Sequence, residues 1–260
     1  MRTGVWLYPI ASAFELVDAV VRLDAGGVDE VWIADEGVGR EPFSILAAAA
    51  RETSRITLAV GITSPLLRHP GAVAATAKTV DELSNGRVIL GWGVGGHESL
   101  GPFGLSTDRP VGVLREAMTL ARAVMEGTSI PGYSPPAHGS PPRHVRQFIG
   151  ARGPQLNRLA SASADGVFLS GLTEAEIPLV IQEAHSVHPV EVALYQSVSF
   201  KGQGNDRCVA GTTKEIASKL RSLHETYSPR SLGVALVDGL PLDDLISEVL
   251  VLFKVIADDY

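Results

Sequence analysis

Apolar and polar positions along this chain switch repeatedly between a strand-like and a helix-like pattern. Short runs rich in β-branched and aromatic residues, Val5–Tyr8, Glu30–Asp35 (EVWIAD) and Ile56–Thr63 (ITLAVGIT), predict strands. Each leads into apolar residues at helical spacing: Phe14–Leu23, stopped by Gly26-Gly27; Phe43–Thr53, opened by Pro42; and the alanine-rich Gly71–Leu83, stopped by Ser84-Asn85-Gly86. Arg87–Gly96 (RVILGWGVGG) then reads as a strand that ends in glycines. After it come a loop (HESLGPFGLSTDRP), a helix near Val111–Gly127, and Thr128–His144, a long ordered loop or hinge holding five prolines. The alternation resumes with strands at Val145–Ala151, Val167–Ser170, the long Val190–Phe200, and Leu232–Val237. The helices between and after them are Pro154–Ala164, Thr173–Ser186, Thr212–Thr226 and Leu242–Ala257.

Strands nearly all followed by helices predict a (β/α)8 TIM barrel, one domain over residues 1–260, in preference to a doubly wound sheet. KGQGNDRCVAG, between Phe200 and Thr212, leaves no room for a helix directly after the seventh strand. The barrel is therefore expected to lack that helix or to be open there. In a barrel the site lies at the C-terminal ends of the strands, where the glycines of RVILGWGVGG fall.

Composition narrows the function classes. With 260 residues, 45% of them hydrophobic, the chain can bury a sizeable core. A net charge of −7 argues against nucleic-acid and anionic-membrane partners, which favour basic surfaces. The single cysteine, Cys208, has no internal disulfide partner and fits a reducing compartment. The N-terminal apolar stretch is too short for a signal peptide, and no uncharged window reaches the roughly 20 residues of a membrane span. A cytoplasmic protein is expected, with no membrane and no nucleic-acid partner. There is no G-x-S-x-G, H-E-x-x-H or P-loop, so hydrolase and triphosphatase readings have no support. His69 and His97 stand alone, without metal-ligand spacing to another donor, and no metal site is expected.

Two segments carry candidate chemistry. GWGVGG fits G-x-G-x-x-G through Gly91, Gly93 and Gly96, but a dinucleotide site needs a helix opening inside the motif, and Gly101-Pro102 breaks one. Glycines at a strand end either let backbone approach something flat or anionic, or simply relieve crowding at the barrel rim. In IGARGPQLNRLASASADG (Ile149–Gly166) a strand ends, a Gly-Pro pair opens a helix, and Arg152 sits at the turn. Free backbone N–H groups beside an arginine suit a phosphate, and an ordinary helix start has the same appearance. Asp35 and Glu36 close the second strand, as cofactor ligands or proton relays, or as plain capping or solvated acids. Tyr8, ending the first strand, faces the pocket or decorates its rim.

Taken in order, DEVWIADE, TSRITLAVGITSPLLRHPGAVAATAKTVDELSNGRVILGWGVGG, IGARGPQLNRLASASADGVFLSG and CVAGTTKEIASKLRSL resemble the luciferase-like flavin and deazaflavin oxidoreductase superfamily. The likeness is greatest to its deazaflavin-using branch, typified by F420-dependent methylenetetrahydromethanopterin reductase, and covers most of residues 1–172 and again about 208–238. The resemblance implies a TIM barrel that binds coenzyme F420, a 5-deazaflavin, or alternatively FMN. It implies a bulged third strand with a non-prolyl cis peptide backing the ring, at positions matching Gly61 and Ile62, followed by Thr63 and Ser64. The ring's polar edge would meet Gly93, Val94, Gly95 and Gly96, and the phosphate would sit on Ala151, Arg152, Gly153, Pro154 and Gln155. Asp35 matches the family's acid after the second strand, and Glu36 stands where histidine is common. Glu36, His97 and Glu98 are the candidates for handling the proton.

The implied activity moves a hydride between the deazaflavin C5 and a small organic substrate. The alternatives are an FMN-dependent luciferase-like monooxygenase and a truncated, non-catalytic flavin-binding protein. Family members usually carry a helix and more after the seventh strand, and a barrel without them would expose apolar surface, so a homodimer is expected. Substrate contacts are expected from the loops Gly96–Pro110 and Thr128–His144.

Overall fold

The computed structural model describes residues 1–202 and 204–258. Alternation along each strand decides which way its side chains face. In β1 (Arg2–Leu7), Val5 and Leu7 join the core beneath the helices, while Trp6 turns into the lumen. The lumen holds Trp32, Phe148, Phe168 and Tyr195 with Ala59, Ile89 and Ala193, so the barrel is a packed core and not a pore. Ring centroids there stand 4.5 Å apart for Trp32–Phe168 and 5.0 Å for Phe168–Tyr195.

The strands pair in parallel in chain order: β1, β2 (Glu30–Ile33), β3 (Thr57–Thr63), β4 (Val88–Trp92), β5 (Arg146–Gly150), β6 (Gly166–Ser170) and β7 (Glu191–Ser199). A short strand, β8 (Cys208–Ala210), pairs with the far end of β7, and β9 (Ser231–Leu236) joins β7 to β1, closing an eight-stranded barrel. The surrounding helices are α1 (Ala13–Ala25), α2 (Pro42–Glu52), α3 (Pro70–Leu83), α5 (Pro110–Glu126), α6 (Pro154–Ser163), α7 (Glu176–Ala184), α8 (Thr213–Tyr227) and α9 (Leu242–Asp258). A one-turn helix, α4 (His97–Leu100), follows the glycines of β4, in a stretch the sequence reads as loop. Capping boxes start α1 (Ser12 with Glu15) and α8 (Thr212 with Glu215).

The expected loss of the helix after the seventh strand is overturned: α8 is that helix. It comes late because β7 runs past the end of β6, and Ser197–Ser199 must find a partner beyond it. Residues Cys208–Ala210 supply that edge before the helix begins. The outer ring packs pairwise from α8 through α9, α1, α2, α3, α5 and α6 to α7. It thins only between α7 and α8, where the Lys219–Glu174 ion pair and a cavity of about 360 Å³ stand instead.

Acids staple the N-terminal face. Asp24 accepts the backbone N–H groups of Ser54, Arg55 and Ile56, Asp81 accepts that of Val88, and Asp165 accepts that of Gln147. Glu30, fully buried, accepts from Trp32 Nε1 at 3.0 Å, Tyr195 Oη at 2.8 Å and Ser231 Oγ at 2.6 Å, and pairs with Arg230. The proline-rich loop 128–144 lies on this same face, because it joins the end of α5 to the start of β5. Arg143 holds it to Asp81 at 2.8 Å and to the Met125 carbonyl at 2.8 Å. The expectation that this loop touches substrate is thereby corrected: it lies at the opposite end of the barrel from the strand C-termini.

Candidate cofactor cavity

At the C-terminal end of β3 the ladder to β4 slips between Val60 and Thr63, and the Gly61–Ile62 peptide is cis. Trp6 Nε1 donates to the Gly61 carbonyl at 2.8 Å, and Gly61 itself lies against the Trp32 ring, with no room for a Cβ. The slip turns the Ile62 side chain towards β4 and β5. A Cβ on Gly93 would overlap its δ-methyl, and one on Gly150 would come within 2.7 Å of its Cγ2. Gly91 is fixed from the other side, since a Cβ there would strike the Val60 carbonyl. Relief of crowding therefore accounts for part of the glycine strand. Gly93 and Gly150 relieve crowding around one isoleucine and Gly91 around the Val60 carbonyl; Gly95, at φ +91°, turns the chain over Leu100; and a Cβ on Gly96 would meet nothing within 4 Å.

The cavity so formed has a volume of about 340 Å³. Gly61 and Ile62, Gly93 to Gly96, Ala151 and Arg152 line it, joined by Trp6, Gly150, Leu156, Phe168 and Ser170. Three segments far apart in sequence thus meet around one space. Ser64 Oγ latches the glycine loop by donating to the Val94 carbonyl at 2.6 Å, and Gly93 N donates to the Thr63 carbonyl at 3.0 Å. On the far side α6 opens at Gly153 with no side-chain cap and no acid in its first turn, so its leading N–H groups face outward unpaired by side chains. Arg152 stands at the turn before it, its Nε donating to the Ser170 carbonyl at 3.1 Å and its guanidinium lying beside Gly171. Glycine backbone around this space, beside a helix N-terminus and an arginine, fits a ring carrying a phosphate.

The remaining candidates lie around this space. Asp35 is buried and committed: Thr63 Oγ1 donates to it at 2.7 Å, Arg68 Nε at 3.0 Å and Gly37 N at 3.2 Å. Asp35 and Thr63 stand behind the cavity wall and do not line it. Gly153, Pro154 and Gln155 form the exposed first turn of α6 at its edge. Glu36 is half-buried; burial, then the nearby Glu98 and Asp35 carboxylates, pushes its carboxyl above the usual range. Tyr8 is also raised, by burial and then by Glu36, with Arg152 opposing. The charges of Glu36, Arg152 and Glu98 therefore all act on Tyr8. His97 is exposed, its imidazole lying over Gly101, and it stays outside the lining. Sequence reading missed Trp6, Gly150, Leu156, Phe168 and Ser170 as cavity residues. The signal for the aromatics was present, since Trp6 and Phe168 are the odd members of strands whose other face is aliphatic.

These features define a (β/α)8 barrel with a glycine-lined cavity at its strand C-termini. The chain belongs to the luciferase-like monooxygenase family, whose model matches residues 1–201. It is 30% identical over 176 residues to a 5,10-methylenetetrahydromethanopterin reductase of Archaeoglobus fulgidus, covering 65% of this chain and 53% of the relative. It is 32% identical over 176 residues to an F420-dependent glucose-6-phosphate dehydrogenase of Intrasporangium calvum, covering 58% of this chain and 52% of the relative. The alignments thus span about half the length of these curated relatives. Among solved structures, the coenzyme F420 dependent tetrahydromethanopterin reductase of Methanopyrus kandleri superposes with a TM-score of 0.80 at 19% identity, over 96% of this chain and 97% of that one. No helix among the described residues is long and apolar enough to cross a membrane.

Proposed function

We propose that this protein is an F420-dependent oxidoreductase that moves a hydride between the deazaflavin C5 and a small organic substrate. The observation that carries the proposal is the meeting of the Gly61–Ile62 bulge, the Gly93–Gly96 backbone and the Ala151–Arg152 turn around one cavity. Relatives whose names carry F420 dependence support the same reading.

When bound, the deazaflavin supplies the hydride. The chain's own work is to bind, orient and exclude water. Ile62 would form the floor of a ring site, with the glycine-loop amides available to the ring's polar edge. The first turn of α6, from Gly153 to Gln155, would hold the phosphate with Arg152. Trp6 and Phe168 would shed water there. Glu36, outside the cavity lining, has its carboxyl raised above the usual range by burial and then by Glu98 and Asp35, which makes it the candidate acid for the substrate atom that gains charge on reduction. Glu98 adds to the effect of burial by repulsion, and Asp35 holds Arg68 and the end of β3 in place. His97 is the weakest of the three proton candidates because its ring is turned onto Gly101.

The family's monooxygenase description favours a second reading, in which reduced FMN reacts with oxygen in the same cavity. The ground for a non-catalytic reading, a missing helix, is gone with α8 in place. Single-turnover experiments decide between the two enzymes. Reduced F420 should be oxidised anaerobically by a panel of carbonyl and alkene substrates; consumption of oxygen by reduced FMN, with F420 inert, would establish the monooxygenase instead.

We also propose a homodimer in the cytoplasm. Phe14 is 85% exposed beside a cleft of about 530 Å³ between α1 and α2, lined in part by Val17 and Ile45. Light scattering should give a dimer mass that Phe14→Glu halves, and fractionation of cells should place the protein in the soluble fraction.

A further inference from the structure

The side of β7 that faces the helices carries Val192, Leu194 and Val198, all in the core between sheet and helices. Gln196 breaks that apolar row. It is 3% exposed, and its Nε2 has no hydrogen-bond partner among the described residues. An amide donor left unpaired in the interior is destabilising, and an aliphatic side chain at this position would avoid the cost. Gln196 belongs to the lining of the cavity of about 360 Å³ between α7 and α8, where the outer ring thins. Leu172, Ile177 and Leu223 give that cavity apolar walls. Among the described residues it shares no lining with the cofactor cavity. The charged residues described in its lining are Glu174, Asp206, Glu215 and Lys219. Lys219 is already paired with Glu174, and the Glu215 carboxylate accepts from the Thr212 N–H at 2.8 Å.

We propose that this cavity is a second ligand site, and that its ligand is a small organic cation with an accepting oxygen at one end, an apolar body and an ammonium group at the other. Each part answers a feature of the lining. The Gln196 amide nitrogen is a donor on the strand side of the cavity and calls for an acceptor oxygen. The leucine and isoleucine walls gain from covering a hydrocarbon body, and the volume is that of a small-molecule site. Three carboxylates stand against one ammonium, so the field in the cavity is negative. Asp206 is exposed and the Glu174 side chain is 68% exposed, which puts the negative charge at the mouth. An anion entering there would meet these acids, with Lys219 already engaged by Glu174. A metal ion does not fit the same charge, because no group of His, Cys, Asp and Glu among the described residues could hold one. The site stands apart from the cofactor cavity, so it does not depend on the oxidoreductase reading.

The probe is 6-amino-1-hexanol, titrated by calorimetry into the purified protein, with hexylamine and 6-hydroxyhexanoate for comparison. 6-Amino-1-hexanol should bind saturably at one site and raise Tm, since a ligand that binds the native state alone stabilises it. Hexylamine, which lacks the oxygen, should bind at least tenfold more weakly. 6-Hydroxyhexanoate, with a carboxylate in place of the ammonium, should not bind. Gln196→Met, similar in volume but without the donor, should bring 6-amino-1-hexanol down to the level of hexylamine and leave hexylamine within twofold. Asp206→Lys, in the exposed loop between β7 and β8, should weaken both amines at least fivefold. Circular dichroism identifies a variant that fails to fold; the comparison of the three probes on the unaltered protein, with the other variant, then decides. Absence of saturable 6-amino-1-hexanol binding, equal binding of hexylamine, or saturable binding of 6-hydroxyhexanoate overturns the proposal. So does 6-amino-1-hexanol binding that Gln196→Met leaves unchanged. Displacement of the amine by F420 would place it in the cofactor cavity and overturn the proposal too.

Discussion

Glu36 is the residue at which charge and chemistry are most tightly joined. Burial and the Glu98 and Asp35 carboxylates raise its carboxyl, so the proton is held to higher pH than on an ordinary glutamate. If the protonated form works, turnover falls as pH rises through that raised value. Glu36→Gln should abolish this alkaline limb and lower kcat by about a hundredfold, in the range typical of general acids. The sign for stability is opposite: a carboxyl raised in the native state costs folding free energy above its unfolded value, so the same substitution should raise Tm at neutral pH. A fall in Tm with an unchanged pH profile would remove Glu36 from this role. The glycines yield a paired prediction. Gly93→Ala must push Ile62 into the cavity, and should weaken F420 at least tenfold with little loss of stability. Gly91→Ala meets the Val60 backbone and should destabilise by about 2 kcal/mol. Thermal melts and F420 titrations of the two variants separate these outcomes. From sequence the glycine motif was legible as a strand end. That much of its space is taken by Ile62 was not, because only the closed barrel brings β3 against β4 and β5.

At the scale of elements, most strands and helices were legible because each carries its own period and its own stop signal. Ser84-Asn85-Gly86 ends α3 as read, and Pro42 opens α2. Errors gathered where tertiary pairing overrides local pattern. β8 has no strand signal of its own and forms because β7 has an unpaired edge. Pro-rich 128–144 looked like an active-site loop, and only the direction of α5 and β5 shows that it belongs to the stability face. Arg87 makes the corresponding prediction. It donates to the Ala50, Thr53, Ile56 and Ser84 carbonyls and to Thr53 Oγ1, tying the end of α2 to the start of β4. Arg87→Ala should cost about 3 kcal/mol in urea unfolding. F420 affinity should be unchanged; a large loss of affinity would mean that the two faces are coupled.

The whole molecule is acidic, yet many of its acids are structural. Glu30 sits at the closed end of the lumen, where burial would raise its carboxyl, but Arg230 and the donors Ser231, Trp32 and Tyr195 hold it below the ordinary range. Native protein therefore binds fewer protons there than unfolded chain. The stabilisation is present above the unfolded value of about 4.3 and is lost as pH falls through the native one. Glu30→Gln leaves Arg230 without its buried partner and should cost about 3 kcal/mol at pH 7. That difference should shrink in urea melts run at progressively lower pH. The barrel as a whole was legible from the count and order of its elements, whereas the cavity was legible only as separate segments until the fold joined them.

The central claim is that this joined cavity is a deazaflavin site. Its most direct test is an equilibrium titration of the purified protein with F420 and, separately, FMN, followed by the cofactor's own absorbance and fluorescence. The account predicts saturable F420 binding, at least tenfold tighter than FMN and weakened at least tenfold by Arg152→Ala. FMN bound more tightly than F420, or F420 binding that Arg152→Ala leaves untouched, would contradict it.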